Sequence, residues 1–162
     1  MRVRTWGTAV AALGLAALGI AAPATAQAAA QGGYCDGEWN SHGRDGLVRA
    51  WDGYDCTGNL LGADVGNDYA WGDSSGQFTG DEYARPKSVM NSGYVGGKDV
   101  VAFYRTSGWR YEYGYVCLSP YELYADDLSD NWYTNNGGLV LNNIGSHQWV
   151  TASACAANSW LT

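Results

Sequence analysis

The feature that most constrains the fold is a series of short apolar runs separated by turn-forming residues. The runs are rich in Val, Tyr, Trp and Leu, and Gly, Asn, Asp and Ser lie between them. No window after the N-terminal region carries apolar residues at helical spacing over three turns, and short β-branched and aromatic runs are typical of strands. The predicted strands are residues 47–51, 100–104, 109–117, 121–124, 139–141 and 148–151. The sequence therefore predicts an all-β domain, an antiparallel sandwich of two sheets.

The N-terminus has the charged, apolar and small-residue regions of a secretory signal. Arg2 and Arg4 precede an apolar stretch at residues 9–22, and Ala24 and Ala26 are the small residues that signal peptidase requires. We expect cleavage after residue 26, or as late as residue 30. Residues 27–162 would then form a single domain. The apolar stretch is short for a membrane span and no second one follows, so a membrane anchor is not expected.

The charge of the chain argues against a nucleic-acid partner. Cleavage of the signal would remove two of the nine basic residues and none of the sixteen acidic ones, so the net charge would change from −7 to −9. Phosphate binding needs clustered Lys and Arg, and this composition does not provide them. We expect a secreted, monomeric, extracellular protein.

Four cysteines follow the predicted signal. They are Cys35, Cys56, Cys117 and Cys155. An even number in an exported protein indicates two disulfides. Zinc binding is not favoured, because the chain has no Cys-x-x-Cys pair and its only histidines are His42 and His147. We predict the most local of the three possible pairings, Cys35 with Cys56 and Cys117 with Cys155.

Two units about fifty residues apart share a pattern. A strand ending at Trp51 and a strand ending at Tyr104 each lead into a turn that contains glycine and aromatic residues, and each unit later reaches a serine, Ser88 or Ser146, before a strand-like end. Two such four-stranded units packed face to face would form a sandwich with a pseudo-twofold axis. The predicted halves are residues 34–94 and 95–155. The predicted core residues are Trp51, Phe103, Tyr104, Leu139, Leu141 and Trp149.

The two turns resemble the hairpin of the βγ-crystallin Greek key. That hairpin has an aromatic, four residues, a second aromatic, one residue and a glycine. The first unit matches at Trp51 and Gly58, with Cys56 in place of the second aromatic. The second unit matches at Tyr104 and Trp109, with Tyr111 in place of the glycine.

The end of the chain carries the same resemblance. Residues 142–150 are similar to the Asn-Asp-x-Ile-Ser-Ser-His-Arg-Trp-Val ending of secreted actinobacterial βγ-crystallin-type proteins. Those proteins are grouped with the Streptomyces metalloproteinase inhibitor family. The resemblance covers roughly residues 47–155 and implies a double Greek key.

The resemblance implies two calcium sites, each built from an Asn/Asp pair followed by hydroxyl residues. The second site aligns on Asn142, Asn143 and Ser146, which include no carboxylate. The first, residues 83–88, places Arg85 and Lys87 where ligands would lie. Ca²⁺ takes six to eight oxygen ligands, and its affinity depends on their charge. We therefore expect degenerate sites and no required cofactor.

The resemblance also implies a secreted peptidase inhibitor whose partner is an extracellular protease. A substrate-like inhibitor needs an extended segment held rigid, and a disulfide supplies rigidity. Val116, Cys117 and Leu118 are the predicted inhibitory segment, because thermolysin-like metalloproteases prefer a bulky apolar residue after the scissile bond. The alternative is that Cys117 lies within a strand and only crosslinks the fold.

Four aromatic residues alternate along one predicted strand and would share a face of the sheet. They are Trp109, Tyr111, Tyr113 and Tyr115. If exposed, they would stack on sugar rings or anchor a protein partner; otherwise they would face the core. The alternative function is therefore a cell-wall or carbohydrate-binding antimicrobial protein, since killer-toxin-like proteins share the implied fold.

No catalytic machinery is expected. Residues 72–76, Gly-Asp-Ser-Ser-Gly, resemble the nucleophile motif of chymotrypsin-like proteases, but the chain is too short for two six-stranded barrels. His42 lies in a polar segment with nothing to mark it as a general base. The carboxylate pairs are typical of solvated loops rather than of glycosidase sites. They are Asp81 with Glu82 and Asp126 with Asp127.

Overall fold

The computed structural model of the protein describes residues 33–80 and 85–162. The predicted signal, residues 27–32, Asp81, Glu82 and positions 83–84 of the first calcium motif lie outside the described residues. The elements are α1 (Tyr34–His42), β1 (Val48–Trp51), β2 (Leu60–Asp64), β3 (Ser88–Asn91), β4 (Val100–Tyr104), β5 (Tyr115–Leu118), β6 (Tyr124–Ala125) and β7 (Ser146–Val150). Short 3-10 turns lie at Tyr111–Tyr113, Leu128–Asp130 and Ala152–Ala154.

The strands form two antiparallel sheets, which confirms the predicted all-β sandwich. Sheet A has the order β2-β1-β3-β6, and sheet B has the order β5-β4-β7. Trp51 pairs with Ser88 in sheet A, and Tyr104 pairs with Ser146 in sheet B. The end of the first strand therefore meets the start of the last strand in both halves.

The two halves exchange their third segment. β6 of the second half pairs with β3 in sheet A. In the first half, Asp68 makes an antiparallel bridge to His147 of β7, so its backbone extends sheet B. Each sheet therefore contains three strands of one half and a segment of the other, and the halves interlock as Greek keys.

The core fills the space between the sheets. Val48, Ala50 and Val89 of sheet A are fully buried, as are Phe103 and Leu118 of sheet B. Burying a Val, Leu or Phe side chain contributes about 1.5–3 kcal/mol, so this core is the main source of stability.

Of the six residues predicted to be buried, three are buried, two are partly buried and one is exposed. Trp51, Phe103 and Tyr104 are buried as expected. Leu141 and Trp149 are only partly buried and pack against the edge of the core. Leu139 is 36% exposed, so its predicted burial is wrong. Its backbone forms an isolated bridge with Trp132 outside the sheets, which leaves the side chain at the surface.

Helix α1 is not predicted by the sequence. Cys35 is its only buried residue, so no apolar stripe repeats along it. It is held by contacts that come from another turn: the Asp55 carboxylate accepts hydrogen bonds from the backbone N–H groups of Tyr34 (2.9 Å) and Cys35 (3.1 Å). A carboxylate at a helix N-terminus satisfies free donors and interacts well with the helix dipole. No helix among the described residues has the length and hydropathy to cross a membrane.

Both predicted disulfides are confirmed. Cys35 bonds to Cys56, and Cys117 bonds to Cys155. The first joins α1 to the turn after β1, and the second joins β5 to the C-terminal segment. Disulfides of this kind persist in oxidising compartments.

Candidate functional site

The predicted inhibitory segment does not lie at the surface. Val116, Cys117 and Leu118 belong to β5 and are at most 2% exposed. β4 pairs along one side of this strand, and on the other side Cys117 exchanges backbone hydrogen bonds with Ser159 (2.7 Å) and Leu161 (2.9 Å). A protease could not reach a scissile bond here, so this assignment is wrong, and Cys117 serves to crosslink the fold.

The second predicted calcium site lacks a free hydroxyl ligand. Ser146 is fully buried; its Oγ donates to the carbonyl of Thr106 (2.7 Å) and accepts from the backbone N–H of Trp109 (3.4 Å). Asn143 Nδ2 donates to the carbonyl of Leu139 (3.3 Å), and Asn142 is exposed with φ of 56°. Within the described part of the chain, no group of three His, Cys, Asp or Glu residues could hold a metal.

At the first calcium motif, the guanidinium of the cationic residue Arg85 pairs with the Asp52 carboxylate. That carboxylate also accepts from the backbone N–H of Asn59 (2.7 Å) and from its side-chain amide (2.9 Å). The bonds from Asn59, and then the one from Arg85, lower the pKa of Asp52.

Three of the residues weighed as catalytic have structural partners in the described part of the chain. His42 lies on α1 beside Glu38, with Nε2 to Oε2 at 3.4 Å. Asp73 accepts from the backbone N–H (2.6 Å) and hydroxyl (2.7 Å) of Ser75, which closes a turn. The Asp127 carboxylate accepts from the backbone N–H of Ser129 and begins a 3-10 turn.

The four aromatic residues predicted to alternate along one strand do not share a strand. Tyr111 and Tyr113 lie in a 3-10 turn and are 38% and 47% exposed. Tyr115 is buried at the start of β5, and Trp109 is partly buried in the turn after β4. The strand prediction fails here because Gly114, with φ of 103°, separates the turn from β5.

The loop between β3 and β4, residues 92–99, is a candidate site that the sequence did not reveal. Its two ends are joined through the fully buried side chain of Asn91. Asn91 Nδ2 donates to the carbonyls of Asp99 (2.8 Å) and Leu118 (3.0 Å), and its Oδ1 accepts from the N–H of Gly93 (2.9 Å). One buried amide therefore fixes both ends of the loop to β5.

Arg44 holds the same loop from outside the sheet. Its guanidinium donates to the carbonyl of Gly93 (2.9 Å) and to the carbonyl of Pro120 (2.7 Å). The same group lies 5.2 Å from the ring centre of Trp39, which limits its freedom to move. The loop after β5 and the loop after β3 are thus joined by one cation.

The tip of the loop is exposed although its base is fixed. Tyr94 is 67% exposed and Val95 is 48% exposed. Gly96 and Gly97 follow with φ of 115° and 72°, a conformation that favours glycine, and the N–H of Gly96 donates to the Asp99 carboxylate (2.7 Å). The loop therefore presents an aromatic and an aliphatic side chain in sequence on a closed turn.

A cleft of about 350 Å³ lies beside this tip. Gly46, Val65, Tyr94, Lys98 and Trp149 are among the residues that line it. The sequence marked Gly96 and Gly97 only as a turn. The sequence did not reveal the site because it depends on the burial of Asn91. A buried asparagine that closes a loop cannot be distinguished in sequence from an exposed one.

Comparisons with known proteins add no family to this chain: the scan against protein-family models and the searches of curated proteins and of solved structures found no match. The resemblance to βγ-crystallins therefore stays a prediction.

Proposed function

We propose that this protein is secreted and inhibits an extracellular metalloprotease, with residues 92–99 as the segment that enters the protease. The observation that carries the proposal is a loop with an exposed tip and a base fixed by Asn91 and Arg44. Two disulfides and the signal-like N-terminus support an extracellular setting. Inhibition requires binding alone, so no catalytic group is needed.

Rigidity is what separates a substrate-like inhibitor from a substrate. A flexible loop loses conformational entropy when a protease binds it, whereas a preorganised loop avoids most of that cost. After cleavage of a bond at the tip, the bonds from Asn91 to Asp99 and from Arg44 to Gly93 would still hold the two new ends together. Re-formation of the cleaved peptide bond then competes with release of the cleaved protein from the protease.

The residue order at the tip suits a metalloprotease of the thermolysin type. Such enzymes prefer a bulky apolar residue after the scissile bond, and Val95 would supply it if the bond between Tyr94 and Val95 enters the active site. Val95 is 48% exposed, so it reaches a pocket without unfolding of the loop. Burial of an aliphatic side chain of this size contributes about 1.5–3 kcal/mol.

The direct experiment is an inhibition titration of thermolysin with the wild type and with Val95→Asp. The charged side chain loses the apolar contact and would have to be desolvated in the pocket. We expect inhibition to weaken at least about a hundredfold, which corresponds to about 2.7 kcal/mol. Val95→Leu should keep most of the activity.

Leu60→Asp is the matched control, because Leu60 is 51% exposed on β2 and lies outside the loop. It should leave inhibition unchanged. Absence of inhibition by the wild type, or equal weakening by Val95→Asp and Leu60→Asp, would refute the proposal.

A further inference from the structure

We infer that a second surface of this protein binds neutral polysaccharide through aromatic rings. The surface consists of Tyr69, Trp109, Arg110, Tyr111 and Tyr113, and we call it the aromatic surface. β4 runs from Val100, next to the loop of residues 92–99, to Tyr104, next to the turn that carries Trp109. The two sites therefore lie at opposite ends of one strand, and this inference does not depend on protease inhibition.

Trp109 is fixed in one orientation at the centre of the surface. Its indole Nε1 donates to the carbonyls of His147 (2.9 Å) and Asp68 (3.1 Å), two residues paired across the sheet edge. Its φ is 53°, a left-handed conformation that costs energy for a residue with a side chain. Two bonds to the indole and one to its backbone hold this conformation, so the ring is preorganised for a ligand.

Tyr69 and Arg110 extend the surface on either side of Gly108. The Tyr69 ring meets the Trp109 ring edge to face at 5.2 Å, and Tyr69 is 59% exposed. A Cβ at Gly108 would lie 3.1 Å from the Tyr69 hydroxyl and 3.5 Å from Arg110 Cγ, so these side chains converge over the glycine. The phenol hydroxyl and the guanidinium are thus both next to exposed ring surface.

Tyr113 and Tyr111 complete the surface. The Arg110 guanidinium lies 5.0 Å from the ring centre of Tyr113, while its Nε donates to the Glu112 carboxylate (2.8 Å). Tyr111 packs edge to face on Tyr104 at 5.0 Å and on Tyr115 at 4.7 Å, which fixes its ring although 38% of the residue is exposed.

This combination of groups fits a neutral sugar chain. A pyranose ring has an apolar face of C–H groups, which packs on aromatic rings, and hydroxyls at its edge, which need planar donors and acceptors. Arg110 and Glu112 offer both kinds of group, and their mutual pairing leaves no net charge to attract a polyanion. The acidic chain as a whole, with a net charge of −7, also disfavours anionic polymers.

A protein partner is less well matched by this surface. Protein interfaces combine aromatic side chains with an apolar core. The five residues that define the aromatic surface include no aliphatic side chain, whereas the loop of residues 92–99 exposes Val95 beside Tyr94.

The test is a depletion assay in which the full chain is mixed with insoluble chitin and with insoluble β-1,3-glucan at low and high salt. We expect retention on at least one of these neutral polymers, unchanged by salt because no net charge is involved. Tyr69→Ala and Tyr113→Ala should each weaken retention about tenfold, since each removes an exposed ring without opening the core.

Tyr121→Ala is the matched control, because Tyr121 is 75% exposed in the loop after β5 and lies outside the surface. It should bind like the wild type, and circular dichroism should show that all three variants are folded. No retention on either polymer, retention abolished by salt, or equal loss in Tyr121→Ala would overturn the inference. Thermolysin inhibition by Tyr69→Ala should remain unchanged, so the two sites are tested separately.

Discussion

Ser88 and Ser146 occupy equivalent positions in the two halves and make the same pair of hydrogen bonds. Ser88 Oγ donates to the carbonyl of Gly53 (2.8 Å) and accepts from the N–H of Cys56 (3.0 Å). Ser146 Oγ makes the corresponding bonds to Thr106 and Trp109. In both halves the carbonyl and the N–H are three residues apart, so one buried hydroxyl closes the turn after the first strand.

Replacing either serine with alanine should destabilise the fold by a similar amount. Each change leaves a carbonyl and an N–H of the turn without their partner, and an unsatisfied buried group costs about 1–3 kcal/mol. Urea unfolding of Ser88→Ala and Ser146→Ala should show this loss. Ser74→Ala, in an exposed turn, should unfold like the wild type. A wild-type midpoint for either buried variant would contradict the structural role of the hydroxyl.

The serines show what could be predicted from this sequence. The repeat with Ser88 and Ser146 was visible because each serine precedes a strand-like end in its unit, and it predicted two similar halves. The pairing of Trp51 with Ser88 and of Tyr104 with Ser146 is a finding of the structure. The disulfide pairing was predicted correctly because each cysteine bonds to the cysteine nearest to it in the sequence. These features depend on patterns that are close in sequence or that repeat.

The features that the sequence did not predict depend on single long-range contacts. Helix α1 is capped by Asp55, which is about twenty residues away. The loop of residues 92–99 is fixed by Arg44, 49 residues before Gly93. Leu118 was predicted to be an exposed inhibitory residue because it is bulky, apolar and next to a cysteine. The pairing of β5 with β4 and with the C-terminal segment buries it instead. These contacts join residues that are far apart in the sequence, so they cannot be predicted from local residue patterns.

Acid should destabilise the fold through His147. The imidazole is fully buried, its Nδ1 accepts from the Trp71 indole (2.9 Å), and burial lowers its pKa from 6.5 to about 4 despite the nearby Asp64 carboxylate (4.0 Å from Nε2). Because the folded pKa is lower than the unfolded pKa, this contribution to stability is complete above pH 6.5. It is lost progressively as the pH falls to about 4, and the loss should be about 3 kcal/mol.

The variant His147→Gln isolates this effect, because a glutamine oxygen can still accept from Trp71 but does not titrate. Its unfolding free energy should fall less than that of the wild type between pH 7 and pH 4. Burial raises the pKa of Asp68, which acts in the opposite direction and is common to both proteins. Parallel pH profiles for the two proteins would show that His147 is not the acid-sensitive group.

Calcium should have little effect on stability. At the first motif Arg85 already pairs with Asp52, and at the second the Ser146 hydroxyl is used within the fold. With a Kd near about 1 mM, 1 mM Ca²⁺ would add only about 0.4 kcal/mol. Thermal unfolding with calcium and with chelator should give nearly the same Tm. A rise of about ten degrees, which corresponds to more than 1 kcal/mol, would show a functional site.

The clamp by Arg44 should determine whether the loop of residues 92–99 behaves as an inhibitor or as a substrate. Arg44→Ala removes the bonds to the carbonyls of Gly93 and Pro120 but leaves Tyr94 and Val95 in place. The freed loop must then be ordered on binding, at about 1–2 kcal/mol for each residue whose backbone becomes fixed. We expect thermolysin to be inhibited at least about tenfold more weakly. Cleavage between Tyr94 and Val95, followed by mass spectrometry, should also become faster, because the new end at Gly93 is then held by Asn91 alone and religation is less favoured. Arg44→Lys, which keeps the charge but cannot reach both carbonyls with a rigid fork, should give an intermediate rate of cleavage.

Urea unfolding separates this effect from a general loss of stability. If Arg44→Ala inhibits like the wild type and resists cleavage equally well, the loop does not depend on the clamp and the proposed inhibitory mechanism fails.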